Sequence, residues 1–125
     1  MTNLPLTLLT SAARTANTST ATQTNPSNRG VILILNVTAA SGTGGLQPQI
    51  RFLDLVGGSK IVWGIPLAVT ATGTYVYVHY PGANTAQSAS VHYAVSMPLS
   101  QFWSVTVTHK DSSSYTYSLT AYLIV

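Results

Sequence analysis

Apolar and polar side chains alternate with a period of two along most of this chain. No window of helix length repeats apolar residues at the third and fourth positions. Period two places successive side chains on opposite faces of an extended strand. The alternating segments are rich in Val, Ile, Thr and Tyr, which suit a pleated, half-buried surface. The pattern predicts strands over Leu4–Ala12, Val31–Ala39, Leu46–Leu55, Lys60–Leu67, Tyr75–Tyr80, Val91–Val95, Phe102–His109 and Ser114–Val125.

Some of these strands announce their faces. Trp103, Val105 and Val107 alternate with Ser104, Thr106 and Thr108. In the last strand Tyr115, Tyr117, Leu119, Ala121, Leu123 and Val125 form the inward set. Leu46, Ile50 and Phe52 oppose Gln47, Gln49 and Arg51, and Pro48, which has no N–H, predicts an edge or a bulge there. The unbroken run Val31-Ile32-Leu33-Ile34-Leu35 predicts burial on both faces. Turns are marked by Ser41-Gly42-Thr43-Gly44-Gly45, Gly57-Gly58-Ser59, Pro81-Gly82 and Lys110-Asp111-Ser112-Ser113.

Residues 13–28 stand apart. They are built from Ala, Thr, Asn, Ser and Gln, with Arg14 and Pro26, and carry no large apolar side chain. The stretch exceeds an ordinary connection of about four to six residues. It is expected to be an extended arm or loop that crosses onto a neighbouring subunit or onto the larger surface on which the subunits assemble. The fold expected is one all-β domain over 1–125, an antiparallel β-sandwich or jelly roll of about seven to eight strands with that long N-terminal arm.

Composition narrows the function. Only 6 % of the 125 residues are charged, against about 25 % in a typical soluble domain. The net charge of +3 comes from Arg14, Arg29, Arg51, Lys60 and Lys110 against Asp54 and Asp111. These cations are scattered, whereas nucleic-acid binders cluster theirs, so no nucleic acid is expected as a partner. No apolar run is long enough for a membrane-spanning helix. Met1 to Leu9 lacks a basic region and a long apolar stretch, and reads as the start of an unexported chain. Cysteine is absent, which removes disulfides, thiol catalysis and thiolate metal sites.

Candidate chemistry is sparse. Asp54 and Asp111 flank predicted turns, where Asp bonds local backbone N–H groups. His79, His92 and His109 lie on different predicted strands without the close spacing of a metal site. Gly42, Gly44 and Gly45 lack the lysine and helix of a phosphate loop. No catalytic residue, cofactor or metal is therefore expected, and the chain is read as no enzyme. The aromatics Trp63, Tyr75, Tyr77, Tyr80, Tyr93, Trp103, Tyr115, Tyr117 and Tyr122 read as core or protein interface, with sugar stacking as the other use.

Several stretches carry a resemblance when taken together. They are Thr10 to Ala16, Arg29 to Ala39, Thr72-Gly73-Thr74 with Tyr80-Pro81-Gly82, Pro98 to Trp103 with Val105 to His109, and the Ser-Tyr-Thr-Tyr-Ser ending. In this order they resemble small virion proteins of tailed bacteriophages, of the capsid decoration (cement) type. The resemblance spans most of the chain and departs at residues 60–67 and 83–96. It implies a β-sandwich on the outside of a phage head, made in the host cytoplasm. It also implies homotrimers that clamp neighbouring copies of the major capsid protein. Interface residues expected on this reading are Arg14, Thr15, Asn17, Thr18, Gln23, Asn25, Arg29, Tyr80, Tyr93 and Tyr122. The alternative is a glycan-binding or host-attachment module of a head fibre or tail tip, or a structural component of the tail or of head completion.

Overall fold

The computed structural model describes residues 4–24, 30–53, 59–64, 68–82, 93–96, 99 and 101–124. Ten strands occupy them: β1 (Leu4–Arg14), β2 (Thr18–Ser19), β3 (Gln23–Thr24), β4 (Gly30–Ala40), β5 (Leu46–Leu53), β6 (Ser59–Gly64), β7 (Gly73–His79), β8 (Tyr93–Val95), β9 (Phe102–His109) and β10 (Tyr115–Ile124). The first sheet runs β1-β10-β4-β7-β8, and the second runs β2-β9-β5-β6 with β3 also on β9. The two sheets pack into a β-sandwich.

The core lies between them. Val31, Leu33 and Leu35 of β4, Trp103, Val105 and Val107 of β9, and Tyr115, Tyr117, Leu119 and Ala121 of β10 are all 0 % exposed. Two adjacent leucines shape β1. Its register to β10 shifts between Thr7 and Leu9 and again between Leu9 and Ala12. An extra residue resets the inside–outside alternation, so that Leu6, Leu8 and Leu9 all pack against the core. At the second shift the guanidinium of Arg14 donates to the carbonyls of Thr10 (2.6 Å), Ala12 (3.2 Å) and Tyr117 (2.7 Å).

Three expectations need correction. The sandwich is not wholly antiparallel, because β8 runs parallel to β7. The run at Val31–Leu35 is buried on one face only; Ile32 and Ile34 are half-buried on the outside. The doubly buried strand is β9, whose outward Ser104 and Thr106 are only 8 % and 6 % exposed. That follows from its neighbours, with β5 on one side and residues 18–24 on the other. Pro48 sits inside the central strand β5, paired with Val107, while β6 pairs only with Gln49 to Leu53. Its missing N–H therefore faces no β6 partner.

Of the segment 13–28, residues 13–24 are described. Ala13 and Arg14 close β1, while Thr18–Ser19 and Gln23–Thr24 pair with β9 of the same chain. Up to Thr24 the segment runs along a sheet of its own chain. These two short pairings raise the described strands above the expected seven to eight.

Candidate interaction surface

The register of the first sheet assembles its outer face strand by strand. One row across all five strands reads Pro5, Tyr122, Ile32, Val78, Ala94. The next reads Thr7, Thr120, Ile34, Val76. A third, toward the sandwich end, turns polar with Ser118, Asn36 and Thr74. No residue of these rows is charged. Ile32, Ile34, Val76 and Val78 are half-buried, and Tyr122, at 36 % exposure, is the large hydrophobic side chain most open to solvent among the described residues. Contiguous apolar surface of this kind marks interaction sites in soluble proteins.

The outer face of the second sheet differs. Ser19, Thr106 and Gln49 share a row, Ser104 and Arg51 another, and Thr108 and Gln47 a third. These side chains bond one another: Ser19 Oγ and Thr106 Oγ1 lie 2.9 Å apart, and Arg51 Nη2 donates to Gln49 Oε1 at 3.5 Å. These three rows are polar, while Leu53 and Phe102 add an apolar pair to the same face and Arg51 Nε is buried without a hydrogen-bond partner.

The expected interface residues are dispersed. The guanidinium of Arg14 is committed to three carbonyls and lies 4.6 Å over the Tyr117 ring. Thr15 is exposed, and Asn17 is exposed with its Oδ1 accepting the His109 N–H at 2.7 Å. Thr18 and Gln23 lie half-buried on the edge of the second sheet. Tyr80 follows β7 and Tyr93 packs against the core, both half-buried. Tyr122 alone of the set joins the apolar rows. Asn25 and Arg29 lie outside the described residues. Ile32, Ile34, Val76 and Val78 were missed, because a continuous apolar run reads as doubly buried. The available signal was that two such runs, at 31–35 and 75–78, pair as neighbours.

The chemically richest cluster closes one end of the sandwich. Asp111 accepts the N–H of Gly44 at 2.7 Å, the N–H of Ser113 at 3.1 Å and the hydroxyl of Tyr115 at 3.0 Å. Bonding to Gly44 first, then to Ser113 and Tyr115, holds its pKa below the ordinary value against a smaller opposing effect of desolvation. Tyr115 in turn accepts the Gly45 N–H at 2.9 Å. A Cβ on Gly44 would meet the Asp111 carboxylate at 2.8 Å, and one on Gly45, at φ +85, the Val69 carbonyl at 2.6 Å. The turn glycines thus permit the close approach of two turns.

His109 sits between Tyr115 and Tyr117, each ring centroid 5.7 Å away. Its Nε2 lies 2.9 Å from the Tyr117 hydroxyl, while its Nδ1 is buried without a hydrogen-bond partner. Burial lowers its pKa, Asp111 opposes this, and Arg14 adds to it. Burial likewise raises the Tyr117 hydroxyl, against bonds from Thr18 and Arg14. The hydrogen bonds of Asp111 go to turns and to Tyr115, so among the described residues no carboxylate orients the imidazole as a base would need. Of the other titratable candidates, His79 is buried edge-on to Phe52 at 5.2 Å, and Asp54 and His92 lie outside the described residues. Among the described residues no group of three His, Cys, Asp or Glu gathers as a metal site would require.

Comparison with known proteins finds no matching family model and no matching curated protein. Among solved structures, a chain in the structure of infectious bursal disease virus Gx strain is similar at 11 % identity with a TM-score of 0.47. The match covers 97 % of this chain and 31 % of that one, so this chain spans under a third of its length.

Proposed function

We propose that this chain is a structural, non-catalytic subunit of a virus particle, a decoration protein of the tailed-phage type that attaches to the shell through the outer face of its first sheet. The observation that carries the reading is the uncharged apolar row Tyr122, Ile32, Val78 with Ile34 and Val76 beside it. Covering such surface is favourable at about 25 cal/mol per Å². The scarcity of charge supports the same reading: a free protein needs charge against association, and a subunit covered on its shell does not. The resemblance of Thr10–Ala16, Arg29–Ala39 and the later stretches to phage decoration proteins supplies the partner, the major capsid protein. A decoration protein acts by adding interface area across subunits, and repeated contacts compound its affinity.

The test is binding of the purified chain to empty shells of the virus that encodes it. Saturable binding that is lost in Ile34→Lys supports the proposal. Binding that is absent, or equal in Ile34→Lys, overturns it. A glycan array run beside it reports the attachment reading, for which reproducible sugar binding is the positive result.

A further inference from the structure

Residues 18–24 form the outer edge of the second sheet; they carry no large apolar side chain, and Thr20, at 9 % exposure, is the buried one among them. Hydrogen bonds of backbone and polar side chains hold them in place. Thr18 and Ser19 pair with Val107 and Thr106, and Gln23 and Thr24 with Trp103 and Phe102. Between these pairings the Thr20 N–H donates to the Val105 carbonyl at 2.8 Å, and Thr20 Oγ1 accepts the Val105 N–H at 3.0 Å. Ser19 and Thr106 join their hydroxyls at 2.9 Å. Ala21 and Thr22 are exposed.

Such a strip is weakly held. A hydrogen bond contributes about 1 kcal/mol net, while ordering one residue costs about 1–2 kcal/mol. With no apolar anchor, the strip sits at the low end of local stability. Beneath it, β9 carries the fully buried Trp103, Val105 and Val107 and belongs to the stable core. Release of the strip would leave β9 as a bare edge, which proteins avoid. The ligand that fits this edge without loss is the same strip from a second copy, since it reproduces each pairing, including the Thr20 hydroxyl on the Val105 N–H. Residues 15–17 tether the strip to β1, so its first residue can sit up to roughly 13 Å from Arg14 at about 3.3 Å per residue, a reach that suits copies lying edge to edge.

We infer that residues 18–24 are an exchangeable edge strand: where copies lie side by side, the strip of one copy pairs with β9 of its neighbour. This deepens the proposed assembly role and rests on it for the setting in which copies meet.

The absence of cysteine gives a clean test. Ser19 and Thr106 are Cα partners of an antiparallel pair, at a spacing a disulfide accepts. The Ser19→Cys and Thr106→Cys single variants are mixed at high concentration, oxidised and mapped by mass spectrometry. The double variant S19C/T106C, oxidised dilute, checks that the fold and the geometry allow the link. Exchange predicts a 19–106 link between chains that rises with protein concentration. Hydrogen exchange provides a second reading, in which the Thr20 amide exchanges at least tenfold faster than that of Leu119. No interchain 19–106 link, with the double variant linking within one chain, overturns the inference, as does a Thr20 amide as slow as that of Leu119. Shell binding through the first sheet is read in its own assay, so either idea can fail alone.

Discussion

On the outside of the first sheet the central row reads Pro5, Tyr122, Ile32, Val78 and Ala94. On the outside of the second, the corresponding row reads Ser19, Thr106 and Gln49. The inner faces of both sheets are alike, dense with Val, Leu, Tyr and Trp. The outer faces therefore did not diverge through strand propensity, since Val, Ile, Thr and Tyr all suit a strand. They differ in what they require of their surroundings. Ser19 with Thr106, and Arg51 with Gln49, bond one another on the second sheet, though Arg51 Nε stays without a partner. In the central row of the first only the Tyr122 hydroxyl can donate or accept, and the apolar side chains there gain by being covered.

The comparison breaks most sharply at Ile34. Ile34→Lys places a charge in the middle of the apolar rows, where covering it leaves an unpaired cation. Shell affinity is expected to fall more than 1,000-fold, about 4 kcal/mol, with the melting temperature little changed. Tyr122→Lys is expected to act in the same direction without touching the core. Loss of folding rather than of binding in both variants would contradict the assignment.

Leu119→Ala is the inverse experiment. Leu119 is wholly buried on the inner face of the same strand as Tyr122. Truncation is expected to cost about 3 kcal/mol of stability in a denaturant titration. The fraction that remains folded should bind shells as the parent does. If affinity falls with stability, the two faces of β10 are not separable as described.

A smaller effect is expected at the sandwich end, away from both faces. The pKa of His109 is lowered in the fold from 6.5, mainly by burial. The unfolded chain therefore takes up a proton first as pH falls through about 6.5, and stability is lost from there downward. Thermal melts from pH 8 to 5 should show this slope, and His109→Gln should flatten its share. An unchanged slope in that variant would remove His109 as the cause.

Smallest of all is Gln49→Lys, on the outer face of the second sheet. It adds a charge where polar groups already meet water, and a change of under about twofold in shell affinity is expected. A large loss would move the covered surface to the second sheet.

Much of the fold was legible. Phe102–His109 has the predicted boundaries. In β10 the inward Tyr115, Tyr117, Leu119 and Ala121 are all buried, because its alternation marks a one-sided strand. Which face of Val31–Leu35 looks outward was not legible: apolar residues on both faces read alike whether covered by this chain or by another. Nor was the pairing of Thr18–Thr24 with β9, since backbone hydrogen bonds leave no apolar signature. The Asp111 cluster was half legible. A turn aspartate bonding local N–H groups was expected and is seen at Ser113. Its bond to Gly44, 67 residues away in sequence, depends on how the two turns meet in the folded sandwich.

Hydroxyl-radical footprinting of the free chain and of the chain on its particle tests the covered face most directly. Tyr122 reports the first sheet, and Phe102, half-buried on the outside of the second, serves as the reference. The account predicts that oxidation of Tyr122 falls several-fold on the particle while that of Phe102 holds. Equal reactivity of Tyr122 in both states, or protection of Phe102 in its place, would contradict it.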